Sequence, residues 1–206
     1  MNNKKTLTEI FDEEGGDKGS IFKHENSDVN LAHNYTKFYE ELMSEHRNHD
    51  INLLEIGLWC PYFPGASVRA WNRYFTNFKY YGVDIVDCTH LDDGNKINIE
   101  ILDQKSESQI LKYLKNKPEF DFIIDDGCHE EDGIVISFGN FFPKLKSGGY
   151  YIIEDLHVVN KENLYKLSEK KFESRFLSKD KLDYINSNIE SCVFLCDEKL
   201  CVINKK

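Results

Sequence analysis

Apolar residues in this chain come in short runs, and polar stretches with helical periodicity separate them. The runs are "INLLEIG" from Ile51, "KYYGVDI" from Lys79, "KINIEILD" from Lys96, "FDFIIDD" from Phe120 and "YYIIED" from Tyr150. Each is four to eight residues long and bounded by polar residues or glycine, which predicts buried strands. Between them, "SVRAWNRYF" (67–75), "SESQILKYLKN" (106–116) and "EDGIVISFGNFFPKLK" (131–146) place apolar residues at three- and four-residue steps, which predicts helices. Ser67 and Ser106 are the expected N-caps of the first two, and "SGG" at 147–149 the expected close of the third. Leu31, Tyr35, Phe38, Tyr39 and Leu42 predict an earlier helix from Asp28 to about Arg47, and residues 160–183 a charged one. Residues 1–27 are polar around "EEGGDKGS" and predict a loop or lid. The last residues, "SCVFLC", "DEK" and "LCVINK", predict a hairpin.

Strands alternating with helices imply a mostly parallel sheet with helices on both faces, here ending in an antiparallel hairpin. The expected class is an α/β, Rossmann-like fold. At 206 residues the chain suits one compact unit, divided as a lead-in over 1–49 and a ligand-binding domain over 50–206.

Strand ends carry the chemistry. Ligands of open parallel sheets bind beyond the carboxyl ends of the strands. Here Asp84, Asp103, Asp125–Asp126 and Glu154–Asp155 stand at four of the five exits, with Glu55 just before the fifth. The loop after the first strand offers Gly57 and Gly65 and two prolines. That is a poor cradle for a pyrophosphate, which weighs against a nicotinamide dinucleotide. A nucleoside without phosphates does not need one. Asp84 can take ribose hydroxyls, and Asp103 and Gln104 can meet an adenine edge. S-adenosylmethionine, with adenine, ribose and a sulfonium cation, fits this pattern. The candidate cofactor set is Glu55, Gly57, Ser67, Asp84, Asp103, Gln104 and Asp125.

Charge and composition narrow the class. A formal charge of −10 argues against a nucleic-acid partner. No apolar run reaches the ~18 residues of a membrane span. The start "MNNKKTLTEIFDEEGG" has no apolar h-region and predicts no signal peptide. The six cysteines form no C-x-x-C pair and read as reduced thiols of a cytoplasmic protein. A homo-oligomer stays open.

The order "LLEIG…GAS-x-RAW-x-x-YF…YYGVDI…FDFIIDDGCH…GGYYIIED" resembles the class I S-adenosylmethionine-dependent methyltransferases. It is most similar to the macrolide-sugar O-methyltransferases of the mycinamicin type, and its N-terminal "DKGS…HNYTKFYEELM" is also similar to the lead-in segment of that group. The likeness spans residues 8–157. It implies that Asp126, Glu154 and Asp155 hold magnesium or another divalent cation and that His129 is the base. This sequence departs from the group in three ways. Cys128 replaces the usual serine, the first loop is less glycine-rich, and the longer substrate-binding insertions are missing.

The residues agree with that chemistry. Like charges so close need water or a cation. Three carboxylates without a soft partner suit a hard divalent ion. An imidazole titrating near neutrality suits a general base. The expected activity is metal-assisted O-methyl transfer to a sugar or related polar small molecule. A metal-independent methyltransferase using His129 and a non-catalytic cofactor-binding module are the alternatives. His157 is either a contact to the acceptor or an exposed side chain. His33, Tyr35 and Tyr39 either pack their helix or reach the cofactor's methionine end, and Arg69 and Trp71 are expected to be structural.

Overall fold

The computed structural model describes residues 4–23, 28–59, 64–156 and 161–206. Among the described residues, seven strands form one sheet in the order β3-β2-β1-β4-β5-β7-β6. They are β1 (Asp50–Ile56), β2 (Asn77–Asp84), β3 (Ile97–Ile101), β4 (Phe120–Asp125), β5 (Leu145–Ile153), β6 (Ile189–Leu195) and β7 (Leu200–Lys205). The first five pair in parallel, and the β6–β7 hairpin adds antiparallel strands beside β5. This is the expected class, with strand order reversing between β1 and β4.

Alternation along each strand feeds two cores. Leu53, Phe122, Ile124 and Ile152 face α1 (Leu7–Glu14), α2 (Thr36–Met43) and α3 (Ala66–Tyr74). Leu54, Ile56, Ile123, Tyr151 and Ile153 face α4 (Glu107–Leu114), α5 (Glu131–Phe141), α6 (Glu162–Ser168) and α7 (Lys179–Asn188). Trp71, Tyr39 and Phe11 fill the first core, with Trp71 edge-on to both Phe11 and Tyr39.

Several elements differ from expectation, each for a local reason. The first 27 residues are not a loop throughout. Thr6 and Glu9 form a capping box, Gly15 closes α1 in a left-handed conformation, and Leu7, Ile10 and Phe11 are buried. The next helix, α2, starts at Thr36 rather than Asp28. Residues 31–36 instead bond the earlier chain: Leu31 N donates to Phe22 O, His33 N to Asp17 O, Asn34 N to Gly19 O and Thr36 N to Lys18 O. For α3 the N-cap is Gly65, at φ 72°, and not Ser67, which lies inside the helix. Ser106 does sit at the α4 N-cap, but its side chain makes no capping bond. The "SGG" stretch belongs to the start of β5, where the register against β4 shifts. Residues 161–183 hold α6 and the start of α7 with non-helical chain between them.

Candidate active site

Strand parity decides where each acid goes. Glu55 continues the face of Ile51 and Leu53 and is fully buried under α1–α3. Its Oε2 accepts from the Tyr80 hydroxyl at 2.6 Å. Asp125 continues the opposite face, 1 % exposed. Gln104 Nε2 donates to its Oδ1 at 3.1 Å and the Tyr151 hydroxyl to its Oδ2 at 2.9 Å. Burial pushes both carboxyls above their ordinary range, opposed by these bonds and, for Glu55, by Lys18. Neither side chain lines the main cleft.

That cleft, of about 370 Å³, lies beyond the carboxyl ends of β1, β2 and β4. Its walls include Gly57, Trp59, Asp84, Asp103, Gln104, Asp126 and Gly127. Ser67 lines a smaller neighbour with Lys18 and Asp126. Asp84 is 8 % exposed. Its Oδ2 accepts from Leu58 N at 2.6 Å and Trp59 N at 2.9 Å, and its Oδ1 from Val86 N at 2.7 Å. A carboxylate has about four acceptor positions, so one remains for a ligand hydroxyl. Gln104 Oε1 accepts from Cys128 N at 2.8 Å, which holds the turn after β4. Asp103 Oδ1 accepts from Lys105 N at 2.9 Å.

Gly57 lets two exits meet. It has φ 86°, and a Cβ there would run into the carbonyl of Asp126. A Gly57→Ala protein is expected to lose about 2 kcal/mol or more of stability, from backbone strain plus that clash. Chemical denaturation measures this loss, and an unchanged midpoint would contradict it.

Beside the cleft, Asp126 Oδ1 lies 3.8 Å and Asp155 Oδ2 3.9 Å from His129 Nε2. One ligand atom from each of the three residues falls within 4.8 Å of the others. His129 (φ 46°) and Asp155 (φ 56°) both hold left-handed backbone, which costs a non-glycine residue roughly 1–2 kcal/mol. Such strain persists where surrounding structure enforces it.

Glu154, 1 % exposed, is not one of these three residues and is joined to Asp126 through Lys18. It receives the Tyr39 hydroxyl on Oε1 and the Lys18 ammonium on Oε2, the latter at 2.8 Å. Lys18 also bonds Asp126 Oδ2 and stands 3.8 Å from Glu55 Oε1. Burial, and then the charge of Asp126, push the Glu154 carboxyl well above its ordinary range. Burial also raises Asp126, against the pull of Lys18. At Asp155 burial acts in the same direction, but His33, the Tyr35 hydroxyl at 2.5 Å and Lys18 outweigh it and hold its carboxyl below the ordinary range. Tyr35 and Tyr39 therefore both pack and serve the acids, as does His33, whose Nδ1 is 3.2 Å from Asp155 Oδ1. Lys18 escaped assignment on the sequence alone, and the bonds of His33, Tyr35 and Tyr39 to the acids were not among the two roles expected for them, although all four residues fall within the lead-in "DKGS…HNYTKFYEELM". Arg69 pairs with Glu14 and Trp71 is core, as expected. Cys60 and His157 lie outside the described residues.

No family model matches the chain. In sequence it is 34 % identical over 127 residues to the demethylmacrocin O-methyltransferase of Streptomyces fradiae, covering 60 % of this chain and 32 % of that one. It is 33 % identical over 129 residues to the mycinamicin VI 2''-O-methyltransferase of Micromonospora griseorubida, covering 61 % and 32 %. A third relative is the 8-demethyl-8-alpha-L-rhamnosyl tetracenomycin-C 2'-O-methyltransferase of Streptomyces olivaceus, 33 % identical over 141 residues and covering 67 % and 37 %. The chain thus spans about a third of the length of these relatives. Among solved structures, the MycE methyltransferase of the mycinamycin pathway in complex with Mg, SAH and mycinamycin VI superposes with a TM-score of 0.73. That match has 22 % identity and covers 98 % of this chain and 55 % of MycE. A second crystal form with Mg and SAH gives 0.77, again at 22 % identity, covering 98 % and 54 %. The chain has the class I methyltransferase fold, and over well over half of its length its sequence is similar to these three O-methyltransferases.

Proposed function

We propose that the protein is an S-adenosylmethionine-dependent O-methyltransferase. It acts on a hydroxyl of a sugar or related polar small molecule with the help of magnesium or another divalent cation. One observation carries this reading: Asp126 lines the cleft and at the same time belongs to the Asp126–His129–Asp155 group. A ligand in the cleft would therefore have its reactive end beside a base and two carboxylates. The relative named for 2'-O-methylation of an alpha-L-rhamnosyl tetracenomycin supports the acceptor class.

The residues fit the cofactor. The cleft is within the 300–1,000 Å³ of small-molecule sites. Asp84 keeps an acceptor position open, and Gly57 and Gly127 leave the backbone bare at the cleft wall. The donor set also fits a hard cation: Asp126, Glu154 and Asp155 would hold it, with His129 adjacent. A cation already sits against two of those carboxylates, the ammonium of Lys18. When bound, the divalent ion would polarise the acceptor hydroxyl and lower its pKa.

The chain's own groups do the rest. The cleft residues Asp84, Asp103 and Gln104 orient the nucleoside and so present the transferred carbon to the acceptor. His129 Nε2 receives the proton as the acceptor oxygen forms its bond to that carbon. The carbon–sulfur bond breaks and leaves a neutral thioether, so no acid is needed there. Asp126 and Asp155, each just under 4 Å from Nε2, favour the imidazolium that results. Residues 1–49 form a lead-in that closes the site, because Lys18, His33, Tyr35 and Tyr39 all reach its acids. Cytoplasmic placement and freedom from nucleic-acid and membrane partners belong to the same reading. Among the described residues no helix is long and apolar enough to cross a membrane.

A second reading is metal-independent transfer by His129, which the Lys18 ammonium against Asp126 and Glu154 favours. Exhaustive chelation with EDTA separates the two. Activity is expected to fall at least about a hundredfold and to return with added magnesium. Unchanged activity after chelation would hand the case to His129 alone.

A further inference from the structure

Three carboxylates, Glu55, Asp126 and Glu154, turn toward one buried ammonium, that of Lys18, which is 2 % exposed. Asp17 adds a fourth negative charge nearby. The lysine is presented by a fixed piece of backbone. Asp12 accepts from Ser20 N at 2.6 Å and from the Ser20 hydroxyl at 2.6 Å, and the 33–36 segment bonds to the carbonyls of Asp17, Lys18 and Gly19. Local structure thus aims a cation at the oxygens Asp126 Oδ2 and Glu154 Oε2.

We propose that Lys18 is a positioning residue that acts as a tethered stand-in cation. It holds Asp126 and Glu154 together in the metal-free protein and gives up those two oxygens when a divalent ion binds. This rests on the metal-assisted reading above. The argument is one of atoms. Tyr39 donates to Glu154 Oε1 and Lys18 to Oε2, so a metal at either oxygen meets a donor already in place, and at Oε2, the oxygen that Lys18 holds together with Asp126 Oδ2, that donor is itself a cation. Two cations sharing that oxygen at bonding distance would repel strongly in so dry a place. The ammonium has somewhere to go. A pocket of about 60 Å³ beside it is lined by Lys18, Asp17 and Ser67, and Asp17 there offers a new partner. It lies against the main cleft, with which it shares Gly57, Trp59 and Asp126. The stand-in keeps like charges from splaying apart before the metal arrives. Its cost is a weaker apparent metal affinity, reduced by the fraction of molecules in which Lys18 has already left.

The test is lysine acetylation of the full chain by acetic anhydride, read by mass spectrometry with EDTA or with saturating magnesium. Calorimetry confirms ion binding in parallel. Lys171, with its side chain 74 % exposed, serves as the internal control. Lys18 is expected to be protected in EDTA and to react about tenfold faster or more with magnesium, as its burial is lost. A Lys18→Met protein is expected to bind manganese about tenfold more tightly, because the competing charge is gone. Magnesium bound by calorimetry with Lys18 still protected would overturn the exchange and leave the metal reading standing. Silent calorimetry up to millimolar magnesium would overturn both. The labelling arm uses the unaltered protein, so poor folding of the variant does not remove the test.

Discussion

Asp126→Asn is expected to slow methyl transfer by about a thousandfold while changing cofactor affinity by no more than about fivefold. The substitution keeps shape and removes charge. It takes away the carboxylate oxygen 3.8 Å from His129 Nε2, so the imidazolium that forms on proton transfer loses one of its two stabilising neighbours. It also replaces one of the three carboxylates proposed to hold the cation. The end of the cleft proposed for the nucleoside is built from other exits, by Asp84 at the end of β2 and by Asp103 and Gln104 after β3. Folding should survive, because the buried Lys18 ammonium loses one counter-charge but keeps Glu154 at 2.8 Å and Glu55 at 3.8 Å. Single-turnover rates with enzyme in excess report the chemical step, and calorimetry with S-adenosylhomocysteine reports the cofactor. Unimpaired turnover would remove Asp126 from the site.

The parallel part of the sheet was readable because each of its five strands announces itself twice, by a short apolar run and by an acid at or near its end. "YYGVDI" and "FDFIIDD" stop where β2 and β4 stop, at Asp84 and Asp125. The hairpin was equally plain, since "DEK" separates two apolar runs of matching length. The N-terminal region was harder. Glycines and acids around Lys18 look like solvent-exposed loop in composition. What orders them is non-local: backbone bonds from 33–36 and the carboxylates of β4 and β5 more than a hundred residues away. A local signal for α1 did exist in Thr6 and Glu9, three residues apart ahead of an apolar pair.

Acid placement shows what period two adds. Asp125 and Asp126 are adjacent, so they cannot share a direction while the strand continues. Asp125 follows Ile123 into the core under α5, where Tyr151 and Gln104 hold it. Asp126 is past the last strand residue and reaches the cleft. Glu154 follows Ile152 to the opposite face and meets Tyr39 and Lys18. Asp155, in left-handed backbone, turns back toward His129. The same alternation carries Glu55 toward Lys18 and away from the main cleft. Composition finds a cluster of acids; parity sorts them between ligand and support.

Asp84→Ala should invert the pattern of Asp126→Asn: cofactor affinity falls about a hundredfold, equivalent to roughly 2.7 kcal/mol, and turnover at saturating cofactor changes far less. The carboxylate of Asp84 does two things. It collects Leu58 N, Trp59 N and Val86 N, fixing the loops after β1 and β2 that wall the cleft. It also keeps one acceptor position, the one proposed for a ribose hydroxyl. Removing it leaves three backbone donors to find water, at a net cost of about 1–3 kcal/mol each if none succeeds. The loops can relax toward solvent, so the stability loss should be nearer one such bond than three. Asp84→Asn separates the roles, because its single carbonyl oxygen retains an acceptor for the loop but carries no charge. It is expected to fall between wild type and alanine in S-adenosylhomocysteine affinity and to stay close to wild type in melting temperature. If alanine binds S-adenosylhomocysteine within threefold of wild type, the β2 exit does not hold the ribose, and the nucleoside must be placed elsewhere in the cleft.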